Sequence, residues 1–170
     1  MASWTTPTTH ATGDILSVSD WNAVANNEIF LYQAPYCKYY NSVLTAIGLT
    51  TAVTLGGTSF VNYGFSVSSN TVVAPLTGTY YVSGLVTFNG GAGTATTTVA
   101  TQISQNGTRI HYGNSNPSNV GFPSSTAQGV ASATAGNYWT LQANNTSGST
   151  LNTLPGADTT NFTAFFIGSQ

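Results

Sequence analysis

The segment VVAPLTGTYYVSGLVTF, residues 72–88, decides how the rest of the chain can fold. Pro75 and Gly78 predict a turn, and residues 79–88 follow it with aromatic and β-branched side chains at the density of a strand. Successive side chains of a strand point to opposite faces. Both faces of this strand carry large apolar groups, with Tyr80, Val82, Gly84, Val86 and Phe88 on one face and Tyr81, Ser83, Leu85 and Thr87 on the other.

A strand with two apolar faces has to be covered on both sides. In a two-sheet sandwich the facing sheet supplies one cover, so the second must come from a helix, a loop or another chain. The segment NFTAFFIG, residues 161–168, shows the same property. Its apolar side chains divide between the faces as Phe162, Ala164 and Phe166 against Phe165 and Ile167. We predict that the two strands lie side by side in one sheet whose outer surface is also buried, because such a patch is a liability for a monomer.

Short strand-like segments separated by turn signals fill the chain from Cys37 onward. The pair Asn106 and Gly107 is the strongest hairpin signal among them. Many short strands, with turn signals roughly every 8–12 residues, are typical of an all-β antiparallel sandwich or barrel. We predict strands near residues 37–44, 50–55, 60–67, 71–74, 79–88, 97–105, 108–112, 127–133, 138–144 and 161–168.

Charged residues are scarce, since they make up 4% of the 170 residues against about 25% in a typical domain. Lys38 and Arg109 are the only basic residues, so the chain offers no electrostatic footprint for nucleic acid and no polybasic patch for an anionic membrane. We expect neither as a partner. No stretch approaches the length of a membrane span, and no basic segment followed by an apolar run marks a signal peptide, so we expect synthesis in the cytoplasm without export.

The residues that usually carry catalysis are few and dispersed. The four carboxylates are too scattered along the chain to suggest a paired acid and base. His10 and His111 have no Cys or Asp at ligand spacing, so we expect no metal and no cofactor, and we interpret His111 as an ordinary strand residue. Cys37 is expected to be a small buried hydrophobe rather than a nucleophile. We therefore predict that the chain is not an enzyme.

Aromatic side chains among the later strands leave one binding function open. Trp139, Tyr112 and Tyr138, together with Asn side chains, could stack on a sugar and hydrogen-bond to it. The same residues are also typical of a hydrophobic core and its rim, and the sequence does not decide between the two interpretations.

The N-terminal segment has no strand pattern. Residues 1–18 form a Thr-rich arm for which Trp4 is the natural anchor. Ser19 predicts the N-cap of a helix that runs to about Tyr32, before Pro35 stops it. A helix this short must dock to persist, either on its own domain or, with the arm, on a neighbouring molecule or a host surface. Its apolar stripe consists of Val18, Trp21, Ala25, Ile29 and Tyr32, widened by Val24, Phe30 and Leu31.

One set of motifs extends over most of the chain. The run A-P-x-x-G-x-Y-Y-V at residues 74–82 is followed by N-G-T at 106–108 and by an aromatic C-terminal ending. The pattern is completed by Asn62, Gly64, Phe65, Ala135, Gly136, Asn137, Trp139, Leu141, Phe162, Phe166 and Gly168. Over roughly residues 37–170 it resembles the complement C1q/tumour-necrosis-factor-like jelly roll. The resemblance implies a ten-stranded sandwich that forms a tight homotrimer, in which the strands at 79–88 and 161–168 are neighbours in the sheet that faces the trimer axis.

Two departures limit what this resemblance implies. Asn137 stands where the family usually has Asp, and the acidic clusters that bind calcium in some C1q-like modules are missing. We therefore do not expect a calcium site or an immune-ligand site, and the chain has no collagen-like stalk.

Four motifs near the N-terminus form a second pattern. They are W-T-T-P-T at residues 4–8, T-G-D-I-L at 12–16, S-D-W-N at 19–22 and N-x-I-F-L at 27–31. They are similar to the N-termini of small structural proteins of tailed bacteriophages. That resemblance implies an arm and a short helix that attach a trimeric head to the virion.

Together these patterns predict a non-enzymatic phage virion protein in two parts. Residues 1–36 would attach to the virion, and residues 37–170 would form an all-β antiparallel jelly-roll domain that trimerises. Its partners would be further copies of itself and the major capsid protein, on the outer surface of the capsid, which it would decorate and stabilise. The alternative is a tail, baseplate or fibre-tip protein that binds a host receptor or a cell-surface carbohydrate.

The prediction assigns residues to three surfaces. Virion attachment is assigned to Trp4, Pro7, Ile15, Leu16, Trp21, Ile29 and Leu31. The trimer interface is assigned to Tyr81, Leu85, Phe165 and Ile167. The core of the sandwich is assigned to Tyr80, Val82, Val86, Trp139, Leu141, Phe162 and Phe166.

Overall fold

The chain divides into two compact units, Met1–Ala34 and Pro35–Gly168. The computed structural model describes residues 5, 9–48, 53–68, 70–89, 98–115, 122–146 and 150–169, apart from the side chains of Leu31, Tyr32 and Val53. In the described residues, the first unit contains a helix and the second contains two antiparallel sheets.

Helix α1 spans Val18–Tyr32 and begins with a capping box. The Ser17 hydroxyl accepts a hydrogen bond from the Asp20 backbone N–H at 3.3 Å, and the Asp20 carboxylate accepts one from the Ser17 backbone N–H at 2.8 Å. The prediction that Ser19 is the N-cap is therefore wrong, since Ser19 lies in the first turn. Ser17 has an acidic residue three positions later that closes the box, whereas Ser19 has Asn22 at that position.

Thirteen strands occur among the described residues. They are β1 Tyr36–Tyr40, β2 Ala46–Ile47, β3 Val53–Thr54, β4 Thr58–Tyr63, β5 Ser66–Ser68, β6 Thr71–Val73, β7 Gly78–Asn89, β8 Val99–Gln105, β9 Thr108–Ser115, β10 Ser124–Ala133, β11 Tyr138–Asn145, β12 Leu151–Thr153 and β13 Asn161–Gly168. The described residues therefore form more strands than the ten that the C1q/TNF-like resemblance implies, because short strands are added at the sheet edges.

Strand β7 lies inside a seven-stranded sheet and is paired on both edges. Val82 lies opposite Ala164 of β13 on one edge and opposite Gly129 of β10 on the other. The predicted pairing of segments 79–88 and 161–168 is confirmed. Beyond β13 the sheet continues through β1 to β4, while β12 and β2 extend it at the far end of β7.

The second sheet has six strands in the order β5, β6, β11, β8 and β9, with β3 also paired to β11. The predicted hairpin joins β8 to β9 through Asn106 and Gly107, whose φ angles are +50° and +81°. Both values suit a tight hairpin turn. The Asn106 Oδ1 also accepts a hydrogen bond from the Tyr138 N–H at 3.0 Å, which ties the hairpin to β11.

Two predicted strands are divided or shortened by local contacts. Segment 60–67 is interrupted because a turn at Gly64, with φ of +86°, separates β4 from β5. Segment 37–44 ends at Tyr40, because the buried Asn41 donates a hydrogen bond through Nδ2 to Thr153 Oγ1 at 2.9 Å. This hydrogen bond ties the end of β1 to β12. Strands β12 and β2, which were not predicted, lie at the edge of the seven-stranded sheet.

The core between the two sheets is built around Tyr80. Its ring centroid lies 5.1 Å from that of Trp139, 5.2 Å from Phe166 and 5.9 Å from Phe65. Its hydroxyl donates to the Leu76 carbonyl at 2.7 Å and accepts from the Leu76 N–H at 3.1 Å. The residues predicted for the core are all buried in the structure, namely Tyr80, Val82, Val86, Trp139, Leu141, Phe162 and Phe166.

Replacing Ser17 with Ala should destabilise α1 by about 1 kcal/mol, because the Asp20 backbone N–H loses its side-chain acceptor. Amide hydrogen exchange in the first turns of the helix should then become roughly fivefold faster when followed by NMR. Ser19→Ala is the matched control and should have a much smaller effect. Equal acceleration in both variants would contradict the cap at Ser17.

Candidate interaction surfaces

Five strands of the seven-stranded sheet place one large apolar side chain each in a line across its outer face. The members lie opposite one another in the order Val130, Tyr81, Phe165, Tyr36 and Tyr63. Residues directly opposite in an antiparallel pair share a face, so we call this line the outer row. Val130 is 59% exposed, Tyr63 58% and Phe165 41%. Within the described part of the jelly roll, the face therefore presents exposed apolar surface.

Tyr81 and Phe165 form the centre of the outer row. Their ring centroids are 5.2 Å apart and their planes are inclined by 32°. The Tyr81 hydroxyl lies 2.9 Å from Gln128 Oε1 and donates to it, which fixes the orientation of the ring. Cross-strand aromatic pairs stabilise neighbouring strands, so these two predicted interface residues also help to hold β7 and β13 together.

The other two predicted interface residues lie on either side of the outer row. Leu85 is half-buried on β7, on the same face as Tyr81. Ile167 is exposed at an irregularity in the pairing of β13 with β7. The outer-row residues of β1, β4 and β10 were not identified from the sequence. Their alignment with Tyr81 depends on strand register, which is known only when the strand pairs are known.

Charge is almost missing from the strands that carry the outer row. Within the described strands of this sheet, Lys38 is the one charged residue. Its ammonium lies 3.9 Å from the Asp158 carboxylate and 5.8 Å from the centroid of the Phe60 ring. The Asp158 side chain is fully exposed, so the ion pair is screened and weak. Covering this face with another molecule would therefore desolvate little charge.

The first unit, Met1–Ala34, carries a second exposed apolar surface. Ile15 is 95% exposed and Trp21 is 61% exposed, and Ile29 is about half exposed. We call these side chains, together with Leu16, Val18 and Val24, the helix stripe. The covered side of α1 includes Asn27 and Phe30 instead. Of the other predicted attachment residues, Trp4 and Pro7 lie outside the described residues, as does the side chain of Leu31.

Polar contacts join the arm to α1 on the side away from the helix stripe. The Thr5 N–H donates to Asn27 Oδ1, and Asn27 Nδ2 donates to the Thr5 carbonyl, both at 2.8 Å. His10 Nε2 lies 3.4 Å from Asp20 Oδ1, and His10 Nδ1 lies 4.0 Å from Asp14 Oδ2. Among the described side chains of α1, Asn27 and Phe30 are buried, whereas most of the predicted apolar stripe is exposed.

The described residues offer little for catalysis. No group of three His, Cys, Asp or Glu side chains within these ranges could hold a metal ion. Cys37 is fully buried, and burial raises the pKa of its thiol to about 12, so the reactive thiolate does not form near neutral pH. Among the same residues no helix is both long and apolar enough to cross a bilayer.

Trp139 belongs to the core and cannot stack on a sugar. Its side chain is fully buried, and its indole N–H donates to Gln105 Oε1 at 3.0 Å. Tyr112 and Tyr138 remain partly exposed, and the Arg109 guanidinium lies 5.1 Å from the centroid of the Tyr112 ring. The sugar hypothesis is thus wrong for Trp139.

Solved structures share this arrangement of strands. Murine APRIL, in its crystal structure at pH 5.0, matches with a TM-score of 0.63 at 13% identity, over 79% of this chain and 99% of the APRIL chain. Eiger TNF from S. frugiperda matches with a TM-score of 0.62 at 9% identity, over 81% and 95% of the two chains. The globular domain of zebrafish complement 1qA matches with a TM-score of 0.57 at 11% identity, over 80% and 99%. The fold is the TNF/C1q-like jelly roll.

The jelly roll confirms the predicted fold class, an all-β antiparallel sandwich preceded by one short helix. No protein-family model matches the chain, and no curated protein does. At identities of 9–13% the likeness extends to the fold alone, so functional residues have to be argued from the surfaces of this chain.

The stability of the jelly roll should fall as pH rises above about 9. Burial raises the folded-state pKa of the Cys37 thiol from 9.0 to about 12, so its contribution is complete below pH 9 and is lost between these values. Between pH 8 and pH 10 the free energy of unfolding should drop by about 1.4 kcal/mol more in the wild type than in Cys37→Ala, as measured by urea denaturation. The same drop in both proteins would show that the buried thiol is not responsible.

Proposed function

We propose that the chain is a non-enzymatic structural protein of a bacteriophage virion. Three jelly rolls associate through the outer face of the seven-stranded sheet. The first unit, Met1–Ala34, binds the trimer to the major capsid protein on the outer surface of the capsid. The observation that carries this proposal is the outer row, an apolar line across five strands on a face with one charged residue among the described strands.

Self-association is the simplest cover for the outer row. Obligate homo-oligomers commonly bury roughly 2,000–5,000 Å² in interfaces that resemble a protein core cut in half. The pair of Tyr81 and Phe165 is rigid and apolar, and it lies on the two strands that need a second cover. The C1q/TNF-like resemblance of residues 37–170 implies a homotrimer, and a threefold arrangement of this face would supply that cover.

The helix stripe supports a separate contact for attachment. Ile15, Trp21 and Ile29 are exposed together, and clustered apolar side chains of this size mark interaction sites. Residues 4–31 are also similar to the N-termini of phage structural proteins, which makes the capsid the partner we propose. Bound across neighbouring capsid proteins, the trimer would resist the internal pressure of packaged DNA.

A tail, baseplate or fibre-tip location is the alternative to capsid decoration. It assigns receptor binding to the loops at 113–125 and 146–159, of which residues 116–121 and 147–149 lie outside the described residues. The two locations differ in their partner, because decoration requires binding to empty heads and the alternative requires binding to purified tails.

Tyr81→Glu should convert the protein from three chains to one chain of 17.6 kDa, as measured by light scattering. A carboxylate at the centre of the outer row would be buried without a partner in the assembly but solvated in the monomer. Circular dichroism should show an unchanged fold. Ser66→Glu is the matched control, since Ser66 is exposed on edge strand β5 of the other sheet, and it should remain trimeric. A wild-type monomer, or a trimer that survives Tyr81→Glu, would contradict the interface.

Replacing both Trp21 and Ile29 with Ser should weaken binding to empty capsids at least tenfold, because two exposed apolar side chains of the helix stripe are lost. Cosedimentation with purified empty heads measures this binding. Asn22→Ser with Asn26→Ser is the control, since both residues are exposed on the same helix. Capsid binding that is equal in the two double variants would refute attachment through the helix stripe, even if the trimer is intact.

A further inference from the structure

A cavity of about 520 Å³ lies between the β8–β9 hairpin and strand β10. Its walls include Asn106, Thr108, Ile110, His111, Val130 and Ser132. The volume falls within the roughly 300–1,000 Å³ that is usual for small-molecule sites. We propose that this cavity binds one neutral pyranose unit of a glycan.

The cavity forms because β10 touches β9 at one end and is bridged to the end of β8 at the other. At the first end the Ser125 hydroxyl donates to the Gly113 carbonyl at 2.8 Å, and a side chain at Gly113 would overlap the backbone of β10. At the hairpin end Gln105 Nε2 donates to the Ser132 carbonyl at 2.9 Å. Contacts within the chain therefore fix both ends of the site, so it is formed before a ligand arrives.

His111 supplies a buried hydrogen-bonding atom for the ligand. Its Nε2 is buried and makes no hydrogen bond with any described residue. The imidazole lies against Gly129, where any β-carbon would overlap it, so the ring occupies a space that only glycine leaves open. Buried polar atoms without partners are rare and costly in folded proteins. The ring packs against Gly129 and leaves Nε2 almost no exposed surface, so a ligand hydroxyl pairs with Nε2, as donor or as acceptor, once the ring turns into the cavity.

The remaining walls match the two kinds of surface on a pyranose ring. Asn106, Thr108 and Ser132 bring amide and hydroxyl groups, which suit the hydroxyls at the ring edge. Ile110 and Val130 bring apolar surface, which suits the C–H face of the ring. The Asn106 amide is already oriented, because its Oδ1 accepts from the backbone of β11.

The charges around the cavity exclude ionic ligands. No carboxylate, ammonium or guanidinium group belongs to its walls within the described part of the chain. The nearby Arg109 guanidinium is placed over the ring of Tyr112. A phosphate or carboxylate ligand would thus enter without a charged partner, whereas a neutral sugar needs none.

Val130 belongs both to the outer row and to the cavity wall, but sugar binding does not depend on attachment to a capsid. Trimer formation is measured by mass and capsid binding by cosedimentation, whereas sugar binding is measured at His111. The failure of either proposal is therefore distinguishable from the failure of the other.

The test titrates the full-length protein, labelled with ¹⁵N at histidine, with four neutral sugars. These are methyl α-glucoside, methyl β-galactoside, methyl α-mannoside and N-acetylglucosamine. The chain has two histidines, so His10→Ala assigns the imidazole signals. At least one sugar should shift the His111 signals saturably and leave those of His10 unchanged, with a dissociation constant on the order of 1 mM. If none of the four sugars shifts the His111 signals, the proposal is overturned.

Thr108→Val tests whether the binding occurs in the cavity. The substitution removes one hydroxyl from the wall but keeps the shape of the side chain and the His111 signals, and it should weaken binding about tenfold. Thr71→Val makes the same change on strand β6, outside the cavity walls, and should leave the affinity unchanged. Equal affinities in the two variants would overturn the assignment of the site.

Discussion

The structure depends on one constraint: strand β7 needs a hydrogen-bonded neighbour at each of its two edges and a packed cover on each of its two faces. Its two edges pair with β10 and β13, and its inner face packs through Tyr80 against the second sheet. Because the hydroxyl of Tyr80 also binds both backbone groups of Leu76, the core holds the turn that leads into the strand. The fourth side, which bears Tyr81, is the one that a single chain leaves open. The proposed association between copies would complete a packing requirement that begins in the sequence of β7.

Much of this arrangement could be predicted because side-chain alternation is a local property. A period of two residues places Tyr80 and Tyr81 on opposite faces whichever strands lie beside them. The outer row could not be predicted in full, because Tyr36, Tyr63 and Val130 align with Tyr81 only through the register of four strand pairs. The cavity could not be predicted for a related reason. It lies between β9 and β10, which belong to different sheets, and the sequence does not show that they are neighbours.

Two features of helix α1, its N-cap and its buried side, were not predicted correctly from sequence patterns. Ser17 and Ser19 are both good caps, and only the acidic residue three positions after Ser17 distinguishes them. Periodicity located an apolar stripe but did not show which side of the helix would be covered. One of the two buried side chains, Asn27, hydrogen-bonds through its amide to the backbone of Thr5, and a hydrophobic pattern gives no weight to a polar residue.

The exposed surfaces all carry few charged groups, but they offer different groups for binding. The outer row and the helix stripe are apolar, so covering either of them with protein removes little charge from water. The cavity beside the outer row is instead lined by amide, hydroxyl and imidazole groups around a small apolar patch. Apolar association and neutral hydrogen bonding use different groups on the chain. The proposed assembly, attachment and sugar-binding surfaces therefore share only Val130 among the side chains named for them.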